Sequence, residues 1–172
     1  MVEIVDATTE LVKARLTALG GLLGACVAAG AGVGFVAPLA PAEAEAYWRR
    51  MRDRLADGEL MGWLALDGTE LAGCVFLIAG MMPNQPHRGE VMKLLVDPAR
   101  QRQGIATALM EHLEVSARAI GKTLLTLDTA EGDNGIHLYR RLGFQTVGVI
   151  PGYARAGDGS MRGTILMYKP IG

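Results

Sequence analysis

Apolar and polar positions along this chain follow two different rhythms. Val2–Asp6, Leu60–Leu66, Glu70–Ala79, Glu90–Val96, Thr123–Asp128, Phe144–Ile150 and Arg162–Tyr168 are short runs rich in aliphatic residues, and they read as strands. The helical period dominates elsewhere. Ile105, Leu109, Leu113, Ala117 and Ile120 form one stripe of a helix that Gly121 ends. Pro41 opens another, with Glu43 and Glu45 suited to its positive end, running to Asp57-Gly58. Thr8 or Thr9 caps a helix through Leu11, Arg15, Leu19 and Leu23 that ends near Ala29, and Asp133–Leu142 reads as a short helix stopped by Gly143. Asp67-Gly68 joins its flanking strands as a tight hairpin, while Ala31–Pro41, Pro83–Pro86 and Pro151–Gly159 read as loops. Strands and helices interleave without strict alternation. That predicts an α/β (α+β) architecture with a mixed, mostly antiparallel twisted sheet flanked by helices.

Composition narrows the class. With 172 residues, half of them apolar and a fifth charged, the chain suits a single domain over residues 1–172 with a sizeable core. The net charge is −1, and the only basic cluster is Arg100, Arg102 and Lys93, too local for a nucleic-acid face. Leu16–Ala42 carries no charge and is long enough to cross a bilayer. Its many glycines, with Pro38 and Pro41, argue instead for a buried helix and a glycine-rich loop around Phe35. Glu3, Asp6 and Glu10 make the leading region too acidic for a signal peptide. Cys26 and Cys74 lie in apolar runs without a neighbouring histidine, as inert buried thiols of a cytoplasmic protein would. His87, His112 and His137 lack metal-ligand spacing, so no metal is expected, and Trp63 reads as core.

The chemistry concentrates where an apolar strand ends at Val96. Polar and basic residues follow, then Gly104, then an amphipathic helix. Free N–H groups at a helix start, backed by the helix dipole, make an anion cradle. Three features occur in order: Glu90-Val91-Met92-Lys93-Leu94-Leu95-Val96, then Gln101-x-x-Gly104-x-Ala106, then Leu138-Tyr139-Arg140-Arg141-Leu142-Gly143-Phe144. On these the chain resembles the GNAT superfamily of N-acetyltransferases, and within it the antibiotic-type members. The resemblance implies the GNAT acyl-CoA N-acyltransferase fold and acetyl-CoA as cofactor. It implies that Gln101, Arg102, Gln103, Gly104, Ile105, Ala106 and Thr107 hold the pyrophosphate, and that the backbone of Leu94, Leu95 and Val96 pairs with the pantetheine arm. Arg100 is a further candidate phosphate contact. Two departures stand out: Gly132 occupies the place of an asparagine common in relatives, with Asn134 out of register, and Ala106 replaces a common second glycine.

Direct transfer to an amine requires a base, because an alkylammonium with a pKa of about 10 is mostly unreactive at neutral pH. Asp128, at the end of an apolar strand, and Glu90 are both candidates. Lys93, at odd spacing from Glu90, is expected on the opposite face of its strand. The resemblance makes Tyr139 the acid that protonates the leaving thiolate. Phe35 and Tyr153 are candidates for the substrate wall. The expected partner is a small amino-acid-like or antibiotic-type amine, with no nucleic acid and no membrane, for a monomer or homodimer. A protein or peptide N-acetyltransferase and a non-catalytic acyl-CoA sensor remain as alternatives.

Overall fold

The computed structural model describes residues 2–172. Seven strands form one sheet: β1 (Glu3–Asp6), β2 (Leu60–Asp67), β3 (Glu70–Ile78), β4 (Arg88–Val96), β5 (Leu124–Ala130), β6 (Gln145–Arg155) and β7 (Met161–Pro170). Their spatial order is β1-β2-β3-β4-β5-β7-β6, and every neighbouring pair is antiparallel except β4 with β5. The mixed, mostly antiparallel sheet read from the sequence is the one observed. The helices are α1 (Thr9–Ala14), α2 (Leu16–Ala28), α3 (Pro41–Ala56), α4 (Ile105–Ala119) and α5 (Gly135–Arg141).

Two cores lie on opposite faces of the sheet. The first gathers the apolar stripe of α4 (Ile105, Leu109, Leu113, Ala117) against Trp63, Val75, Val91, Leu127 and Phe144. The second packs α1, α2 and α3 against the reverse face, with Trp48, Leu64, Phe76 and Leu95 at its centre. Trp63 is core, as its mid-strand position suggested, and Cys26 and Cys74 are free and buried. The uncharged stretch from Leu16 opens with α2, which buries one face through Leu19, Leu22, Leu23, Cys26 and Val27. Among the described residues no helix is long and apolar enough to cross a membrane.

Three local expectations need correction. The helix expected from Thr9 to Ala29 is two helices, broken at Arg15 (φ −110°, ψ 13°), whose guanidinium donates to the Thr69 carbonyl and so ties the break to the β2–β3 turn. Long-range bonding of Arg15 overrides a locally continuous helical pattern. The Pro151–Gly159 stretch is not all loop. β6 runs on to Arg155, and Pro151, which has no N–H to give a ladder, falls where the register with β7 shifts between Ile150 and Ala154. β6 is a sheet edge and lies exposed along almost its whole length, including Val147, Val149 and Ile150. The third correction concerns Lys93 and belongs to the site.

The first core leaves no room beside β3. A Cβ on Gly73 would lie 2.7 Å from the Leu95 carbonyl oxygen and within 3.3 Å of Leu109 and Ile105. Gly73→Ala should therefore destabilise the fold by about 2 kcal/mol, the scale of an overpacked core, read as a lowered urea midpoint at unchanged slope. An unchanged midpoint would mean that β3 and β4 separate freely.

Candidate active site

The site begins with a failure of pairing. β4 and β5 run side by side only over Arg88–Glu90 and Leu124–Thr126. On its other edge β4 carries a bulge: Cys74 pairs with Leu95 and Phe76 with Met92, so Lys93 and Leu94 together oppose Val75. Lys93 adopts a left-handed φ of 53° there. The ladder to β5 ends at Glu90, before the bulge, and the two parallel strands diverge from there. The wedge between them is a cleft of about 990 Å³ that reaches from Glu90–Val96 to the start of α4, to Asp128 and Thr129, and to Tyr139 on α5.

One end of the cleft is built for an anion. Asp97 caps a short 3-10 turn (Pro98–Arg100) by accepting from the Ala99 N–H at 2.9 Å. Left-handed Arg102 (φ 60°) and Gly104 (φ 82°) then turn the chain into α4, whose first intrahelical bond runs from Ala108 N–H to the Gly104 carbonyl. The N–H groups before it have no helical partner and sit at the positive end of the helix dipole. Gln101, Arg102, Gly104, Ile105, Ala106 and Thr107 all line the cleft, with Leu94, Leu95 and Val96 along its wall; exposed Gln103 does not line it. A Cβ on Gly104 would point into open space. Arg100 also lines the cleft, but its guanidinium is held by Asp67 at 2.6 Å and approached by Asp97 at 3.9 Å. It ties the cradle to the β2–β3 hairpin.

Acid–base groups occupy the two sides of the wedge. Thr126 and Asp128 share a face of β5, opposite Leu125 and Leu127, which enter the α4-side core. Asp128 accepts from the Thr164 hydroxyl at 2.7 Å. Glu90 is bound by Arg88 at 3.2 Å, and Arg88 also donates to the Thr126 hydroxyl at 2.9 Å. Across the wedge, Tyr139 packs edge-on to Phe144 at 5.8 Å on the α4 side. Burial pushes its phenol well above the ordinary tyrosine range, and the charges of Asp133 and Asp128 add to that. Asp133 also caps α5 through the Gly135 N–H at 3.1 Å, while Asn134 lines the cleft without capping and Gly132 turns with a φ of 80°. Cys26 lines the cleft too, yet burial raises its thiol to about 11, which keeps it an inert thiol.

A second cavity of about 550 Å³ adjoins the first, sharing Asp128, Tyr153 and the Gly32–Gly34 loop. Phe35 lines this second cavity, and exposed Tyr153 lines both. Lys93 is not where the strand period puts it. The bulge adds a residue, so Lys93 shares a face with Met92 rather than opposing it, and that is the Glu90 face. Its ammonium donates to the Val33 carbonyl at 2.8 Å and lies 5.3 Å from the Tyr47 ring centre and 5.9 Å from that of Phe35. Burial lowers its pKa, opposed by the charge of Asp128. A lysine inside an apolar strand was the available signal for this site residue; Thr164 left none.

A sheet split between β4 and β5, an anion cradle at the start of α4 and a tyrosine across from a carboxylate together define a class of fold that compares clearly with known proteins. The chain belongs to the acetyltransferase (GNAT) family, whose model matches residues 35–144. It is 28% identical over 96 residues to YsnE of Bacillus subtilis (strain 168), an uncharacterized N-acetyltransferase; the match covers 54% of this chain and 61% of that relative. Its fold is similar to that of an N-acetyltransferase from Staphylococcus aureus Mu50, with a TM-score of 0.83 at 16% identity, covering 100% of this chain and 99% of the other. It is also similar to yncA of Salmonella typhimurium, solved with its cofactor acetyl-CoA, with a TM-score of 0.79 at 17% identity, covering 99% and 94% of the two chains.

Gly104→Val tests the cradle. Valine is strained at a φ of 82° and puts methyl groups where phosphate oxygens would approach the N–H groups. Affinity for acetyl-CoA, measured by calorimetry, should fall by at least about tenfold while the thermal transition stays cooperative.

Proposed function

We propose that this protein is an acetyl-CoA-dependent N-acetyltransferase acting on the amine of a small amino-acid-like or antibiotic-type acceptor. One observation carries the reading: the β4–β5 wedge holds a carboxylate, Asp128, on one face and a half-buried phenol, Tyr139, on the other, with an anion cradle at its mouth. The donor fits the residues present. Backbone N–H groups of Arg102–Thr107 suit its diphosphate, and the unpaired edge of β4 over Leu94–Val96 suits its amide-bearing arm. Acetyl-CoA supplies an acetyl group activated as a thioester.

The protein's share is positioning and proton handling. Asp128, oriented by the Thr164 hydroxyl, takes the proton from the incoming ammonium, directly or through a water. Glu90 lies on the same side, its charge offset by Arg88. Open N–H groups on the splayed edge of β4 stabilise negative charge on the acyl oxygen. Tyr139 gives its proton to the departing sulfur, and its raised pKa keeps that proton in place throughout the neutral range. The acceptor enters from the second cavity, past Phe35 and Tyr153. The Gly32-Val33-Gly34-Phe35 loop, Leu127-Asp128-Thr129 and Pro151-Gly152-Tyr153 resemble the tabtoxin resistance protein, which makes tabtoxinine-β-lactam a specific candidate acceptor.

The reading is tested by thiol release from acetyl-CoA against tabtoxinine-β-lactam, free amino acids, polyamines, aminoglycosides and a short peptide. Release with an amino-acid-like amine supports it. Binding of acetyl-CoA without release across the panel would make the protein an acyl-CoA sensor. Tyr139→Phe should lower kcat by about 100-fold with acetyl-CoA affinity little changed, the scale of one lost acid. Because the phenol titrates above its usual value of about 10, the loss of activity due to its deprotonation should appear only above pH ~10. A rate that falls with a lower pKa, and falls likewise in the phenylalanine variant, would assign that limb to another group.

A further inference from the structure

Lys93 is a charged group of the cleft that transfer chemistry leaves unused. The β4 bulge turns its side chain onto the face that carries Glu90, toward the side on which Asp128 lies. It donates a single hydrogen bond, to the Val33 carbonyl, and forms no ion pair among the described residues. Two of its three N–H donors are therefore uncommitted. The Tyr47 and Phe35 rings flank it, and the Gly34 backbone passes beside it, where a Cβ would make ordinary contact with Nζ at 3.5 Å. A half-buried ammonium with one neutral acceptor is an expensive arrangement in a core. It is well matched to an anion arriving with the substrate.

The opposite signs in the cleft have a spacing role. Asp128 attracts an ammonium, with Glu90 beside it offset by Arg88, whereas Lys93 attracts a carboxylate, and all three face the same side of the sheet. A simple amine uses only the acidic end. A zwitterion uses both ends, and its orientation is fixed by them, with the amine toward Asp128 and the carboxylate toward the Val33–Phe35 loop. We propose that Lys93 is the specificity-determining residue for the acceptor's carboxylate, and that the preferred acceptor is a free α-amino acid or a zwitterionic analogue rather than a simple amine or a peptide N-terminus. This rests on the transferase reading for its kinetic test but not for its binding test.

The probes are L-amino acids and their methyl esters, which keep the same reacting amine and remove only the negative charge. The wild type should acetylate acids in preference to their esters. In Lys93→Met the acid-form kcat/KM should fall about 10- to 100-fold further than the ester-form value, the scale of one charge-assisted hydrogen bond, and Lys93→Arg should restore part of the preference. Methionine replaces the buried cation with an apolar chain of similar length between Tyr47 and Phe35, so the variant should melt no lower than the wild type. Equal losses for acid and ester, or a wild type that prefers esters, would overturn the assignment. The second arm needs no turnover: calorimetry with N-acetyl-L-amino acids and their methyl esters. Selective loss of acid binding in Lys93→Met supports the assignment even if no amine is acetylated, in which case the transferase reading alone fails. Equal binding of acid by wild type and variant overturns it.

Discussion

The structure depends on a sheet that is not allowed to close. β4 and β5 bond at one end and part at the other: beyond their last pair at Glu90 and Thr126, β4 bulges at Lys93 and Leu94 while β5 keeps straight register with β7. Every feature of the site follows from that divergence. It exposes a strand edge inside the protein, where an unpaired N–H would otherwise be a penalty. It also brings residues from both faces of the sheet into one cavity, which a continuous sheet would keep apart. The two cores hold the wedge open from either side. Leu109 and Leu113 of α4 press on one face and Trp48 with Phe76 on the other.

The two sides of the wedge then differ in kind. On the α4 side the groups are backbone N–H donors and a phenol seated against Phe144. On the α2–α3 side they are carboxylates and one ammonium. The loop before α4 is held by the Arg100–Asp67 pair, so it is anchored by an arginine already neutralised. That leaves Arg102 and the helix start to supply the positive field.

Much of this was legible in the sequence because it obeys local rules. The α4 stripe, the hairpin at Asp67-Gly68 and the turn into Gly104 are periodicity and turn chemistry, and each fell close to its expected boundary. What escaped was nonlocal. The break at Arg15 is fixed by a carbonyl far along the chain, at Thr69. The continuation of β6 past Pro151 is fixed by pairing with β7. The side taken by Lys93 is fixed by one extra residue opposite Val75, and a strand period cannot reveal an insertion in its own ladder. The sequence pointed to Asp128, Glu90 and Tyr139 through their place in strands and boxes, but it was silent on Thr164, which reaches Asp128 only across the β5–β7 pairing.

The outer strand β6 has a different consequence. Its exposed Val147, Val149 and Ile150 would form a sticky template if the strand were flat and fully hydrogen-bonding. Two register shifts and Pro151 break its outward row of donors at intervals. A stranger's chain laid along it would find no unbroken row of partners to zip onto. The irregularities that hid β6 from a reading of the sequence are thus what keep concentrated copies of this protein from growing into one another edge to edge.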